Sequence, residues 1–133
     1  TTLFRSVSSM KQSHTEVKIL PQFKNDDDLE FAKQLFIKAL VNYDDNQDIV
    51  DRYTRNWDVE RIAFMDNLII SIAIAELMYF DSIPVKVTLD EWIDIAKYYS
   101  SPTSSTFVNG VLDKIVAELM ESGKIQKSGR GLL

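Results

Sequence analysis

Residues 83–115, IPVKVTLDEWIDIAKYYSSPTSSTFVNGVLDKI, constrain the fold more tightly than any other stretch of this chain. Apolar residues recur there at helical spacing in two blocks: Leu89, Trp92, Ile93 and Ala96, then Phe107, Val111, Leu112 and Ile115. Between the blocks stands Pro102 among hydroxyl side chains, and a proline interrupts a helix interior. The pattern is two amphipathic helices joined by a polar loop. Gly110 lies inside the second apolar stripe, where glycine costs about 1 kcal/mol relative to alanine. It is expected at a close crossing of two backbones, with Asn109 bonding the backbone it meets.

The same periodicity runs through the rest of the chain. Leu3, Phe4, Val7 and Met10 predict a short opening helix, and 14–25, with Pro21, a connector. Asp27 and Glu30 have capping-box spacing ahead of a stripe formed by Ala32, Leu35, Phe36, Ala39, Leu40 and Tyr43. Asp44-Asp45-Asn46 is expected to break that helix, and Ile49, Val50, Tyr53 and Trp57 predict a shorter one ending near Asn56. Asp58 is placed to cap a long helix from Val59 to about Phe80. Its stripe of Ile62, Met65, Leu68, Ile69, Ile72, Ala73 and Leu77 is widened by Phe64, Ile70 and Ile74. A helix apolar over most of its circumference is buried by several neighbours, so this one is expected at the centre. Thr88 and Glu91 form a second capping box, and Gly123 predicts a helix C-cap. Residues 124–133 offer few apolar anchors and are expected to fray. No stretch alternates with period two. The reading is all-α, with three parts: 1–25, a helical domain over 26–123, and a flexible tail over 124–133.

Composition narrows the function classes. There is no cysteine, which removes disulfides and thiolate metal sites, and His14 stands without a cluster of partners. No metal site and no cofactor are expected. Glycine-rich phosphate loops, GxSxG and HExxH are absent, so catalysis is not expected either. Asp26-Asp27-Asp28 and Asp44-Asp45 lack calcium-loop spacing and read as solvated helix starts. No apolar run approaches the ~20 residues that span a bilayer. Arg5 and Lys11 flank a serine-rich stretch rather than the apolar core of a signal peptide. The net charge of −5 works against a phosphate-binding surface. Acid concentrates between Asp26 and Asp66, whereas both ends carry a small excess of Lys and Arg. RNA contacts are therefore sought at the ends, and a basic protein partner in the middle.

The IAIAEL segment, followed by the two helices of 83–115 with FVNGVLDK, resembles the transcription antitermination factor NusB family. The resemblance covers roughly residues 28–123. It implies an all-α NusB-like bundle of two packed helical subdomains, about five core helices plus a short N-terminal one. It also implies a cytoplasmic, non-catalytic bacterial factor that pairs with the NusE ribosomal protein and binds boxA RNA. The pair would act on the RNA polymerase complex, with the chain a monomer or a homodimer. The same fold also occurs as the RNA-binding domain of a ribosomal RNA cytosine-5 methyltransferase. A helical protein-interaction module without RNA binding is a further alternative.

Site residues follow from both lines. The 100–106 loop places Ser101, Thr103, Ser104, Ser105 and Thr106 at a helix start, where free N–H groups and the helix dipole favour an anion. These are the candidate RNA-binding residues; the alternative is that Thr103 or a neighbouring serine simply caps the helix. Family relatives often place lysine in this loop; this chain does not. Asp66, expected on an exposed flank with Glu60 two turns earlier, is the candidate contact for NusE. Glu76 keeps one position of a family pattern, LRxAxYE, whose arginine and tyrosine are replaced by Ser71 and Ala75. It is read as structural, accepting backbone N–H bonds from a neighbouring helix start, as are Asn109 and Gly110. The arginine-rich arm and first helix of typical relatives are missing, and Thr1 is not methionine, so a fragment of a longer protein is expected.

Overall fold

The computed structural model describes residues 26–55, 64–101 and 103–133. The opening helix and connector, Asp58, Glu60 and Pro102 lie outside them. Every regular element among the described residues is helical: α1 (Asp26–Val41), α2 (Tyr43–Thr54), α3 (Phe64–Tyr79), α4 (Val85–Tyr99), α5 (Ser104–Glu121) and a final 3-10 turn, Gly129–Leu132. Two compact units divide the chain, one ending at Gln34 and the other covering Leu35–Leu133. In the first, α1 opens with Asp26, Asp27 and Asp28 in its first turn, which suits the positive end of the helix dipole. Gln34 Nε2 donates to Glu30 Oε1 at 3.0 Å, one turn back.

The second unit is built around α3, as its apolar circumference predicts. Ile69, Ile70, Ala73, Ile74, Ala75 and Leu77 are buried on nearly every side of it. It packs against α2, α4 and α5, and α4 against α5. Ile49 and Val50 from α2, Ala96 from α4, and Val108, Leu112, Ile115 and Leu119 from α5 complete one core.

Several boundaries fall elsewhere than the sequence suggests. Asn42, not Asp44-Asp45-Asn46, separates α1 from α2, and the two aspartates lie in the first turn of α2. Of the expected α1 stripe only Leu35 is buried; Phe36, Leu40 and Tyr43 are exposed. Thr88 is not a cap. The helix opens at Val85 behind Pro84, Thr88 N–H donates to the Pro84 carbonyl at 3.2 Å, and the Thr88 side chain is buried. Proline cannot donate and presets its own φ, so it starts the helix one turn earlier than the capping box would.

Gly123 does end α5. It adopts φ +73° and its N–H bonds Met120 O at 3.1 Å, while Lys124 N–H bonds Leu119 O at 2.8 Å. This is the paired bonding of a Schellman cap. The expected fraying of 124–133 is overturned: Ile125 is buried, Ser128 N–H donates to Asp81 O at 3.1 Å, and Lys127 Nζ donates to Phe80 O at 2.9 Å. Gly131 is buried against the Asp81 carbonyl, where any Cβ would collide with that oxygen. The tail is anchored largely by backbone groups, which apolar periodicity does not register.

Candidate nucleic-acid interface

The loop between α4 and α5 is shorter than its run of hydroxyls suggests, because α5 already begins at Ser104. Ser100 closes α4 in extended conformation, its N–H still bonded to Ala96 O at 3.1 Å. Asp66, in the first turn of α3, reaches this loop. Ser100 Oγ donates to Asp66 Oδ1, and Ser104 Oγ lies 2.9 Å from Asp66 Oδ2. Ser104 Oγ is also 2.9 Å from Ser100 Oγ, but it has one proton and the carboxylate is the stronger acceptor. In return Ser104 Oγ accepts the Ser101 N–H at 3.0 Å and faces Ser101 Oγ at 2.8 Å. Ser101 Oγ is 3.3 Å from Thr103 Oγ1.

This geometry divides the candidate residues. Ser104 is 1% exposed and Asp66 6% exposed, so both serve as internal anchors. Asp66 is therefore not on an exposed flank; three and four residues on come Ile69 and Ile70, which share its buried face. That spacing was the available signal, because a polar residue in register with buried apolar ones turns inward and needs partners. Ser101, Thr103 and Thr106 are exposed and Ser105 is half-buried. Thr103, at the N-cap position, makes no side-chain capping bond. The protein's own carboxylate sits beneath the loop and repels a phosphate from its interior, leaving the outer hydroxyls to meet a ligand. Lys97, one turn earlier, holds Asp94 at 3.5 Å with both groups exposed.

Glu76 is buried, but its donors are side chains rather than a helix-start backbone. Thr88 Oγ1 donates to Oε1 at 2.7 Å and Trp92 Nε1 to Oε2 at 3.3 Å, which ties α3 to α4. Among the described residues Gly110 is not at a crossing: a Cβ there would meet none of them within 4 Å, and Asn109 beside it is exposed. Glycine's helix cost signals a special reason only when something approaches, and among the described residues nothing does.

Comparison with known proteins sets this arrangement in a family. The NusB family model matches residues 2–117. The chain belongs to the NusB family. It is 42% identical over 104 residues to the transcription antitermination protein NusB of Salinibacter ruber, covering 78% of this chain and 65% of that protein. With the protein of the same name from Chloroherpeton thalassium it shares 39% identity over 104 residues, 78% of this chain and 49% of the relative. The chain thus spans about half to two thirds of the length of these curated relatives. Among solved structures, T. maritima NusB superposes with a TM-score of 0.68 at 34% identity, over 75% of this chain and 70% of that one. The all-α fold of the matched part of the chain is therefore the NusB fold. Among the described residues no helix is long and apolar enough to cross a membrane.

Proposed function

We propose that the chain acts in transcription antitermination as a non-catalytic, cytoplasmic RNA-binding factor that pairs with the NusE ribosomal protein on boxA RNA. The pair would act on the RNA polymerase complex. The observation that carries this reading is the 42% identity over 104 residues to a relative named a transcription antitermination protein. Ser101, Thr103, Ser105 and Thr106 would hydrogen-bond the RNA from the outside of the loop, while Asp66 and Ser104 hold the loop in shape. Lysine is absent from the loop, so phosphate attraction is weak and the salt dependence of binding shallow.

With Asp66 turned inward, the basic partner is better served by α2. Asp44, Asp45, Asp48 and Asp51 are all exposed, at spacings that share one helical face. Complementary charge there would speed the encounter with NusE and fix its orientation. Fluorescence titration of boxA RNA against a scrambled RNA, with and without NusE, tests the reading. Preference for boxA in the presence of NusE is expected. Equal binding of both RNAs would instead favour a protein-interaction module, which the net charge of −5 also suits.

A further inference from the structure

We infer that Gly110 and Asn109 are RNA contacts on the outer face of α5. The glycine admits the sugar-phosphate backbone of the strand, and the asparagine amide bonds a ribose 2′-hydroxyl. This rests on the RNA-binding reading above. Gly110 stands in the middle of α5 and is exposed, and a Cβ built on it would meet none of the described residues within 4 Å. Its backbone does not take the left-handed conformation that favours glycine. Glycine weakens a helix interior, and neither a turn nor an internal crossing offsets that here. The remaining use of a missing side chain is to let a ligand's backbone come close.

The position of Gly110 points to the ligand. Thr106 lies one turn before it on the same face and Thr103 one turn earlier still, both exposed. Thr103 makes no side-chain capping bond, so its hydroxyl is open to a strand. A strand held by these two hydroxyls and following the axis of α5 passes over Gly110. Asn109 is exposed, and its amide makes no hydrogen bond among the described residues. An amide both donates and accepts, as a ribose hydroxyl does, so the two can pair without any charge. Asn109 also lines an open groove of about 520 Å³, where Lys86 and Lys127 stand against one acid, Asp90. That excess of positive charge suits the phosphates that follow. Asp113 and Lys114, one turn past Gly110, carry one charge of each sign.

The test uses the whole chain with NusE, titrated with single-stranded boxA RNA and with DNA of the same sequence. Gly110→Ala should melt at a higher temperature yet bind the RNA about tenfold more weakly, a combination that a purely structural glycine would not give. Asn109→Ala should melt unchanged, bind the RNA about fivefold more weakly, and lose the preference for RNA over DNA. Gly110→Ala that binds like the unaltered protein, or that melts lower, overturns the close approach. A preference for RNA that survives Asn109→Ala overturns the ribose contact. If Gly110→Ala weakens the binding of NusE and not of RNA, the protein makes the approach and the RNA role falls. If the unaltered protein binds no RNA, the RNA-binding reading itself fails.

Discussion

A carboxylate beneath the start of a helix competes with any phosphate for the same partial positive charge, and Asp66 occupies that place under the α4–α5 loop. Replacing it with asparagine turns one acceptor oxygen into a donor facing a serine hydroxyl. Asp66→Asn should therefore cost about 1.5–3 kcal/mol of stability, the usual worth of a hydrogen bond to a charged group, read from urea denaturation. An unchanged midpoint would show that the serines do not depend on the carboxylate. Thr103→Asp probes the outer side of the same loop. Thr103 makes no side-chain capping bond and is exposed, so melting should hold while RNA binding weakens. Intact binding would place the RNA elsewhere. Gly110→Ala should stabilise the protein by about 1 kcal/mol, since the added Cβ meets none of the described residues within 4 Å and alanine is the better helix former. A loss of stability would restore the close crossing that the sequence suggested.

At the scale of elements, helices were legible because their apolar spacing is a direct image of burial, as in Ile69, Ala73 and Leu77 along α3. Their ends were harder to read. Thr88-x-x-Glu91 has capping spacing, yet Pro84 starts α4 sooner and leaves the Thr88 hydroxyl for Glu76. Asp66 is expected on an exposed flank, yet it shares a face with Ile69 and Ile70 and is buried with them. The tail was missed for a different reason. It is secured by Ile125, by Gly131 against the Asp81 carbonyl and by bonds to Phe80 and Asp81, none of which produces a stripe. Gly131→Ala should expel the tail from that contact, seen as faster amide exchange at Ser128, whereas unchanged exchange would mean the backbone gives way instead. Burial lowers the Lys127 ammonium below its ordinary 10.5, opposed by the nearby carboxylates of Glu76 and Asp81. The unfolded chain then binds more protons than the folded one between the two values. Stability should rise with pH in the window just below 10.5, and Lys127→Met should flatten that rise. A rise that persists in the variant would assign it to another group.

At the scale of the whole molecule, the Leu35–Leu133 unit presents two chemically different surfaces: the hydroxyl loop at the α4–α5 junction, and the row of aspartates on α2. The first suits an uncharged approach to single-stranded RNA, the second a basic protein. The family was readable from the order of helices and from FVNGVLDK, while the division of labour between Asp66 and the outer hydroxyls needed the packing of α3 against α5. Backbone amide shifts of the isotope-labelled protein, recorded as boxA RNA and NusE are added, test this division most directly. The largest RNA-dependent shifts are expected at Ser101, Thr103 and Thr106, and NusE-dependent shifts along Asp44, Asp45, Asp48 and Asp51. RNA-dependent shifts gathered on α2, or none at the α4–α5 loop, would contradict the account.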